Sequence, residues 1–317
     1  METIVRNAFI ETLITLAEKN PRLMLITADL GFRIFDDFIE RFPEQFLNVG
    51  VAEQNMIGVG TGLAQEGWTV FAYSIGNFST LRCLEQIRND AAYHNVNLTV
   101  VASGGGMAYG TLGMSHHATE DLAILRALPG ITVTAPCDVL ETVQLTQALA
   151  DRPGVGYLRL ERSSSLKSDQ PVHLGQPRRL REGNDLTLMA TGGIVSEVMA
   201  AAEMMVNHGI EARVLSIHTV KPLNPSEIHA AIIETGGIVT VEEHTVMGGL
   251  GSTVMECFVE QGMTPGFFMR LGLPDRAVDQ VGDQAWLRTH YGLDAVAIVQ
   301  RTRQLFATKK TQHCGIQ

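Results

Sequence analysis

The first feature with chemical meaning is a carboxylate, Glu53, in the run Asn48-Val49-Gly50-Val51-Ala52-Glu53-Gln54-Asn55-Met56. The pattern predicts a strand ending just before it and a helix beginning with it. In open α/β sheets, ligands bind in the crevice at the carboxyl ends of the strands, so the position suits a site. An ordinary reading stands beside this one: an acidic residue favours a helix N-terminus through the macrodipole alone. The densest polar cluster is Gly113-Met114-Ser115-His116-His117-Ala118-Thr119-Glu120-Asp121. His116 and Glu120 are four apart and would share a helix face, the spacing of two metal ligands. No further His-rich segment completes such a site, which leaves substrate hydrogen bonding or a structural role. Gly58-x-Gly60-x-Gly62 misses dinucleotide-loop spacing and falls inside the helix, where close packing on a sheet explains it better. Ser103-Gly104-Gly105-Gly106 follows a strand and is better placed for a flexible ligand loop.

The elements that must position these residues alternate along the chain. Apolar spacing predicts a first helix stopped by Asn20-Pro21, then a strand at Leu23 to Ile26. Helices over Phe35 to Phe42, Gln54 to Gln65, Phe78 to Tyr93, Ala118 to Leu128 and Val139 to Ala150 then alternate with short apolar strands. Such regular alternation implies a mostly parallel sheet. From Ser163 to Asn184 the pattern fails, and Ser163-Ser164-Ser165, two prolines and Arg178, Arg179 and Arg181 read as a surface linker. Alternation resumes at Leu186 and runs to two closing helices after Gln284. The fold class is α/β, in two domains: 1–165, a linker over 166–184, and 185–317.

Composition narrows the function. A chain of 317 residues, 45% hydrophobic, is long enough for two cores and is neither disordered nor fibrous. Lys plus Arg number 24 against 34 for Asp plus Glu, giving a net charge of −10, which argues against nucleic acid or an anionic membrane as partner. No apolar run approaches a membrane span, and Met-Glu-Thr-Ile-Val-Arg-Asn lacks a signal peptide's basic head and apolar block, so a cytoplasmic protein is expected. Cys83, Cys137, Cys257 and Cys314 are scattered, which points away from a disulfide framework or a cysteine zinc site.

Several motifs occur together and in order. They are Asp29-Leu30, the Asn48–Asn55 run, Glu85-Gln86-Ile87-Arg88 and His116-His117-x-x-Glu120-Asp121. Lys221-Pro222-Leu223, Thr240-Val241-Glu242-Glu243-His244 and Gly248-Gly249-Leu250-Gly251-Ser252 follow. Together these resemble the C-terminal half of transketolases, including split transketolases whose two halves are separate chains. The resemblance covers the chain from about Met1 to Phe306. It implies a thiamine diphosphate-binding, pyrimidine-type parallel-sheet domain followed by a transketolase C-terminal α/β domain.

The resemblance also implies residue roles. Glu53 matches the glutamate that hydrogen-bonds N1′ of the cofactor's aminopyrimidine and favours the imino tautomer. That tautomer removes the thiazolium C2 proton, while the cofactor supplies the carbanion sink. Asp29 counts with the cofactor-binding positions. Phe78 lies near the aromatic that stacks on the pyrimidine, with Tyr73 or Phe71 as alternatives because this loop varies in length. His116 matches the histidine that meets the substrate oxygen at the reacting carbon, and His117 stands where relatives usually have glutamine. Arg82 and Arg162 fall near positions where relatives bind substrate phosphate, with an ordinary surface or ion-pair role as the alternative for each. Most transketolases carry Gly-x-Asp-Gly before the histidine; here the stretch is Gly110-Thr111-Leu112-Gly113, so Leu112 replaces an aspartate that bonds a substrate hydroxyl.

The family's diphosphate and Mg²⁺ motif, Gly-Asp-Gly followed by Asn, belongs to the other half and does not occur here. The resemblance therefore implies an N-terminal partner subunit, an α₂β₂ heterotetramer and sugar substrates, with transfer of a two-carbon ketol unit from a ketose to an aldehyde. A subunit using a 2-oxo acid donor, as in deoxyxylulose-phosphate synthases or oxo-acid dehydrogenases, is the enzymatic alternative. A catalytically inactive regulatory relative is the other.

Overall fold

A computed structural model describes residues 2–31, 33–161 and 170–314, with side chains from Val5 to Phe306. The first part runs α1 (Glu2–Lys19), β1 (Leu23–Thr27), α2 (Asp36–Arg41), β2 (Phe46–Asn48), α3 (Glu53–Gln65), β3 (Thr69–Ile75), α4 (Gly76–Thr80), β4 (Leu98–Ser103), α5 (Asp121–Ala127), β5 (Thr132–Thr134), α6 (Val139–Asp151) and β6 (Gly156–Leu160). The second runs β7 (Arg178–Arg181), β8 (Leu186–Ala190), α7 (Val195–Val206), β9 (Ala212–Ser216), β10 (Thr219–Lys221), α8 (Ser226–Glu234), β11 (Ile238–Thr245), α9 (Leu250–Glu260), β12 (Phe268–Leu273), α10 (Gln284–His290) and α11 (Ala295–Cys314). Two sheets result, in strand orders β10-β5-β6-β4-β3-β1-β2 and β12-β11-β8-β9-β7. All pairings are parallel except the two edges made by β10 and β7.

Every residue of β1, β4 and β6 is buried, because helices cover both faces of the larger sheet. On one face α1 and α6 pack Phe9, Leu13, Leu145 and Leu149 against Phe71 and Tyr73. On the other, α3 and a π-helical segment at Gln86–Ala92 pack Met56, Ile57, Ile87 and Ala91 against Ala72 and Val100. Gly60 allows α3 to sit close: a Cβ there would lie 2.9 Å from Leu98 Cδ1. Gly58 and Gly62 meet nothing within 4 Å, so only one of the three glycines is required by packing.

Three expectations are corrected. The stretch expected to form one helix from Phe78 to Tyr93 is instead α4, a 3₁₀ turn at Leu81–Cys83 and the π-helical segment. The helix expected from Ala118 begins at Asp121, after two 3₁₀ turns, the second ending at His116. The linker expected over 166–184 contains β7, whose Arg178 is buried and donates Nη1 to Asp138 (2.8 Å), the N-cap of α6, and to Glu141 (3.0 Å) within it. Arg178 therefore fastens one domain to the other rather than crossing a surface. Ser163 to Ser165 and Arg162 lie outside the described residues. The junction is reinforced by β10, which pairs Thr219 with Thr134 and so adds a strand from the second part of the chain to the first sheet. Lys221 then donates Nζ to the Arg126 carbonyl at 2.9 Å, and burial with Arg126 nearby lowers its pKa.

Candidate active site

Asn48, the last residue of β2, organises the mouth of the larger sheet. Its Oδ1 accepts from the backbone N–H groups of Asp29 (2.9 Å) and Gly50 (3.0 Å), and its Nδ2 reaches Asp29 Oδ1 at 3.3 Å. Asp29 adopts a left-handed conformation with φ 56°, which the Asn48 bonds hold in place. These bonds tie the end of β1 to the turn that launches α3, so Glu53 enters the helix at a fixed point.

Glu53 is only 3% exposed. Its Oε2 accepts from Arg82 Nη1 at 2.7 Å, and its Oε1 has no hydrogen-bond partner among the described residues. The Arg82 guanidinium lies over the Phe78 ring, 4.5 Å from its centroid, within cation–π range. Of the two roles the sequence leaves open for Arg82, a substrate-phosphate ligand or an ion-pair partner, the structure shows an ion pair, with Glu53. Beneath them, Cys83 donates its thiol to the Phe78 carbonyl at 3.2 Å. Burial first, then the Glu53 charge, pushes Cys83 up to about 12, so it stays a thiol.

Phe78 links this corner to the histidine loop. Its ring meets His116 edge-on at 5.1 Å between centroids, and Tyr109 approaches the same imidazole at 6.4 Å. Ser115 Oγ contacts His116 Nδ1 at 3.0 Å, while Asn77 Nδ2 donates to the Ser115 carbonyl at 2.7 Å. Glu53, Arg82, Phe78 and His116 thus form one continuous group, and Leu112 stands on the same loop, 55% exposed. His117 does not join them at the surface. It is 3% exposed, neither ring nitrogen makes a well-formed hydrogen bond, and burial lowers its pKa against the opposing pull of the Gly110 carbonyl and Glu243. Tyr73 is also apart: its ring packs between Phe9 and Phe35 in the core on the α1 side. Phe71 is buried in the same core, which leaves Phe78 as the aromatic beside Glu53.

The glycine loop after β4 is not a flexible ligand loop. A Cβ on Gly105 would lie 2.5 Å from Arg159 Nε, and one on Gly106 would lie 2.5 Å from Glu243 Oε1. The loop is therefore pressed against a buried charge network that joins the domains. Arg159, fully buried in β6, donates to Asp121 Oδ2 (2.9 Å), pairs with Glu161, and bonds the carbonyls of Ala118 (2.9 Å) and Glu243 (3.1 Å). Glu243 in turn accepts from Arg288 Nε (2.5 Å) and Gln284 Nε2 (2.8 Å) of α10. Sequence reasoning misses this network. The available signal is an arginine in the otherwise apolar strand Gly156-Tyr157-Leu158-Arg159-Leu160, since a buried charge needs partners. Glu242 has a simpler task, accepting from Leu250 N (2.7 Å) and Gly251 N (2.9 Å) at the start of α9. One described group has metal-ligand spacing, Cys137, Asp138 and Glu141, but Arg178 pairs with both of its carboxylates.

Comparison with known proteins bears on this arrangement. The family described as the transketolase pyrimidine binding domain matches residues 2–166, and that described as the transketolase C-terminal domain matches residues 175–298. The chain belongs to the transketolase family. Among its relatives is an apulose-4-phosphate transketolase subunit of Phocaeicola vulgatus, 37% identical over 92% of this chain and 94% of that one. A 6-deoxy-6-sulfo-D-fructose transketolase subunit of Clostridium sp. is 34% identical over 96% of this chain and 95% of that one. A solved structure of a split-gene transketolase, described as an inactive β4 tetramer, superposes with a TM-score of 0.88 at 35% identity, covering 96% of this chain and 99% of the other. Membership of the transketolase family supports a transferase enzyme, and the family implies dependence on thiamine diphosphate. Among the described residues, no helix of this transketolase homologue is long and apolar enough to cross a membrane.

Proposed function

We propose that this chain is the C-terminal subunit of a two-chain, thiamine diphosphate-dependent transketolase that moves a two-carbon ketol unit from a ketose to an aldehyde. The observation that carries the proposal is Glu53: a buried carboxylate at a sheet mouth, one oxygen held by Arg82 and the other open, beside the half-buried ring of Phe78. An aminopyrimidine needs an acceptor for its ring N–H and a flat apolar surface, and this corner supplies both. When bound, the cofactor supplies the carbanion sink. The chain's own residues supply the rest: Glu53 holds the proton at N1′, and Phe78 orients the ring. His116, at the edge of Phe78, hydrogen-bonds the substrate oxygen at the reacting carbon.

The diphosphate and its Mg²⁺ fall to an N-terminal partner. Relatives of matching length are named as subunits, which supports an assembly of unlike chains, in our reading α₂β₂ in the cytoplasm. The substrates in the two relatives' names, apulose-4-phosphate and 6-deoxy-6-sulfo-D-fructose, both carry an anionic group. We extend to this chain an anionic sugar donor, with Leu112 turning an apolar side toward the place where most transketolases bind a hydroxyl. Product analysis with the partner chain present tests the reading. Ketol transfer from a ketose without loss of CO₂ supports it, whereas CO₂ release from pyruvate with acyl transfer would assign the 2-oxo acid chemistry instead.

A further inference from the structure

We propose that Arg82 is a positioning residue that presents a single oxygen of Glu53 to the pyrimidine ring. The proposal rests on the reading of Glu53 given above and adds a residue to it.

Three observations converge. The Glu53 carboxylate has two oxygens, and Arg82 Nη1 takes Oε2 at 2.7 Å while Oε1 has no hydrogen-bond partner among the described residues. A carboxylate free to rotate about its terminal torsion would offer either oxygen in a broad range of orientations. One tethered oxygen fixes the plane of the other. Second, the guanidinium is itself restrained, because it lies 4.5 Å over the Phe78 ring. The same aromatic therefore sets the arginine and, on our reading, the pyrimidine, so ring, guanidinium and carboxylate are aligned by one side chain. Third, the Arg82 side chain is 47% exposed and Glu53 only 3%. Solvent screens a half-exposed ion pair and limits its contribution to stability, so geometry is what the contact supplies. Lysine could not reproduce it, since an ammonium lacks the planar fork that stacks and bonds at once.

The test measures binding, not turnover alone. In the assembled two-chain enzyme with Mg²⁺, calorimetry compares thiamine diphosphate with an analogue carrying carbon in place of N1′. Wild type should prefer the parent cofactor. Glu53→Ala should erase the preference, and Arg82→Gln should reduce it about ten-fold, the size of one charge-assisted hydrogen bond. Arg82→Lys should restore it only in part. If Glu53→Ala erases the preference and Arg82→Gln leaves it intact, the positioning role is overturned while the reading of Glu53 stands. If Glu53→Ala leaves it intact, that reading falls and takes the proposal with it. A rise in sugar-phosphate KM with unchanged cofactor preference in Arg82→Gln would make Arg82 a phosphate ligand and overturn the proposal.

Discussion

Glu243 Oε1, at the end of β11, accepts a hydrogen bond from the backbone N–H of Met107 at 2.6 Å, across 136 positions of sequence. The carboxylate of the C-terminal domain thereby holds the glycine loop that leads into the histidines of the N-terminal domain. The other oxygen of the same carboxylate is held by Arg288. The loop that carries His116 is consequently shaped by residues from both halves of the chain.

Glu243→Gln should destabilise the protein strongly. The variant leaves Arg288, 7% exposed, with only the partly exposed Glu197 at 3.5 Å as an ion-pair partner. Breaking one side of a buried ion pair costs about 3–5 kcal/mol. Urea unfolding should show a loss of that order, and a change below about 1 kcal/mol would mean that the network does not fasten the domains.

Glu161 makes the network sensitive to pH. Burial pushes its carboxyl up to about 7, with Arg159 pulling it down and Glu243 raising it. Its pKa is thus higher in the folded chain than in the unfolded one, so between about pH 4.5 and 7 the folded state binds the extra proton. The contribution is favourable at the acid end and is lost as pH rises through 7. Relative to Glu161→Gln, the wild-type chain should lose stability over that window. His117 and His218 act in the opposite sense, because burial lowers both, and their contribution is lost as pH falls. Stability profiles of the two proteins that ran parallel from pH 5 to 7.5 would show that Glu161 does not titrate there.

Glu53→Gln should fold normally and lose turnover. The swap is nearly isosteric, and the ion pair it weakens has a half-exposed partner, so the expected stability change is below about 1 kcal/mol. Activity within a few-fold of wild type in the assembled enzyme would remove Glu53 from the chemistry.

Much of this is legible in the sequence because apolar spacing and burial coincide. β1, β8 and α6 are continuous apolar or amphipathic runs, and the Glu53 and His116 segments carry recognisable polar order. What escapes is set by long-range pairing. β7 is Arg-Arg-Leu-Arg and reads as a surface linker, yet Arg178 finds Asp138 and Glu141 about forty residues earlier. Tyr73 and Phe78 are both aromatic and five apart, but β3 sends Tyr73 into the core while the broken helix after it turns Phe78 toward Arg82. His117 reads as a twin of His116, and only the 3₁₀ turn that ends at His116 separates a half-buried ring from one turned inward. No local pattern encodes those choices.

Leu112→Asp should change selectivity more than stability, since Leu112 is 55% exposed on a 3₁₀ turn. A buried hydrogen bond to a charged partner is worth about 1.5–3 kcal/mol, or roughly ten- to a hundred-fold. The ratio of kcat/KM for hydroxylated over deoxy substrates should rise by that factor, while His116→Ala should weaken all substrates alike. An unchanged ratio would place Leu112 away from the substrate.

Reconstitution tests the central claim most directly: ketol transfer from a ketose, with thiamine diphosphate and Mg²⁺, measured for this chain alone and after co-expression with an N-terminal transketolase chain. Turnover should be absent for the single chain and appear with the pair, in a complex of unlike subunits. Micromolar cofactor affinity and full turnover by this chain alone would contradict it.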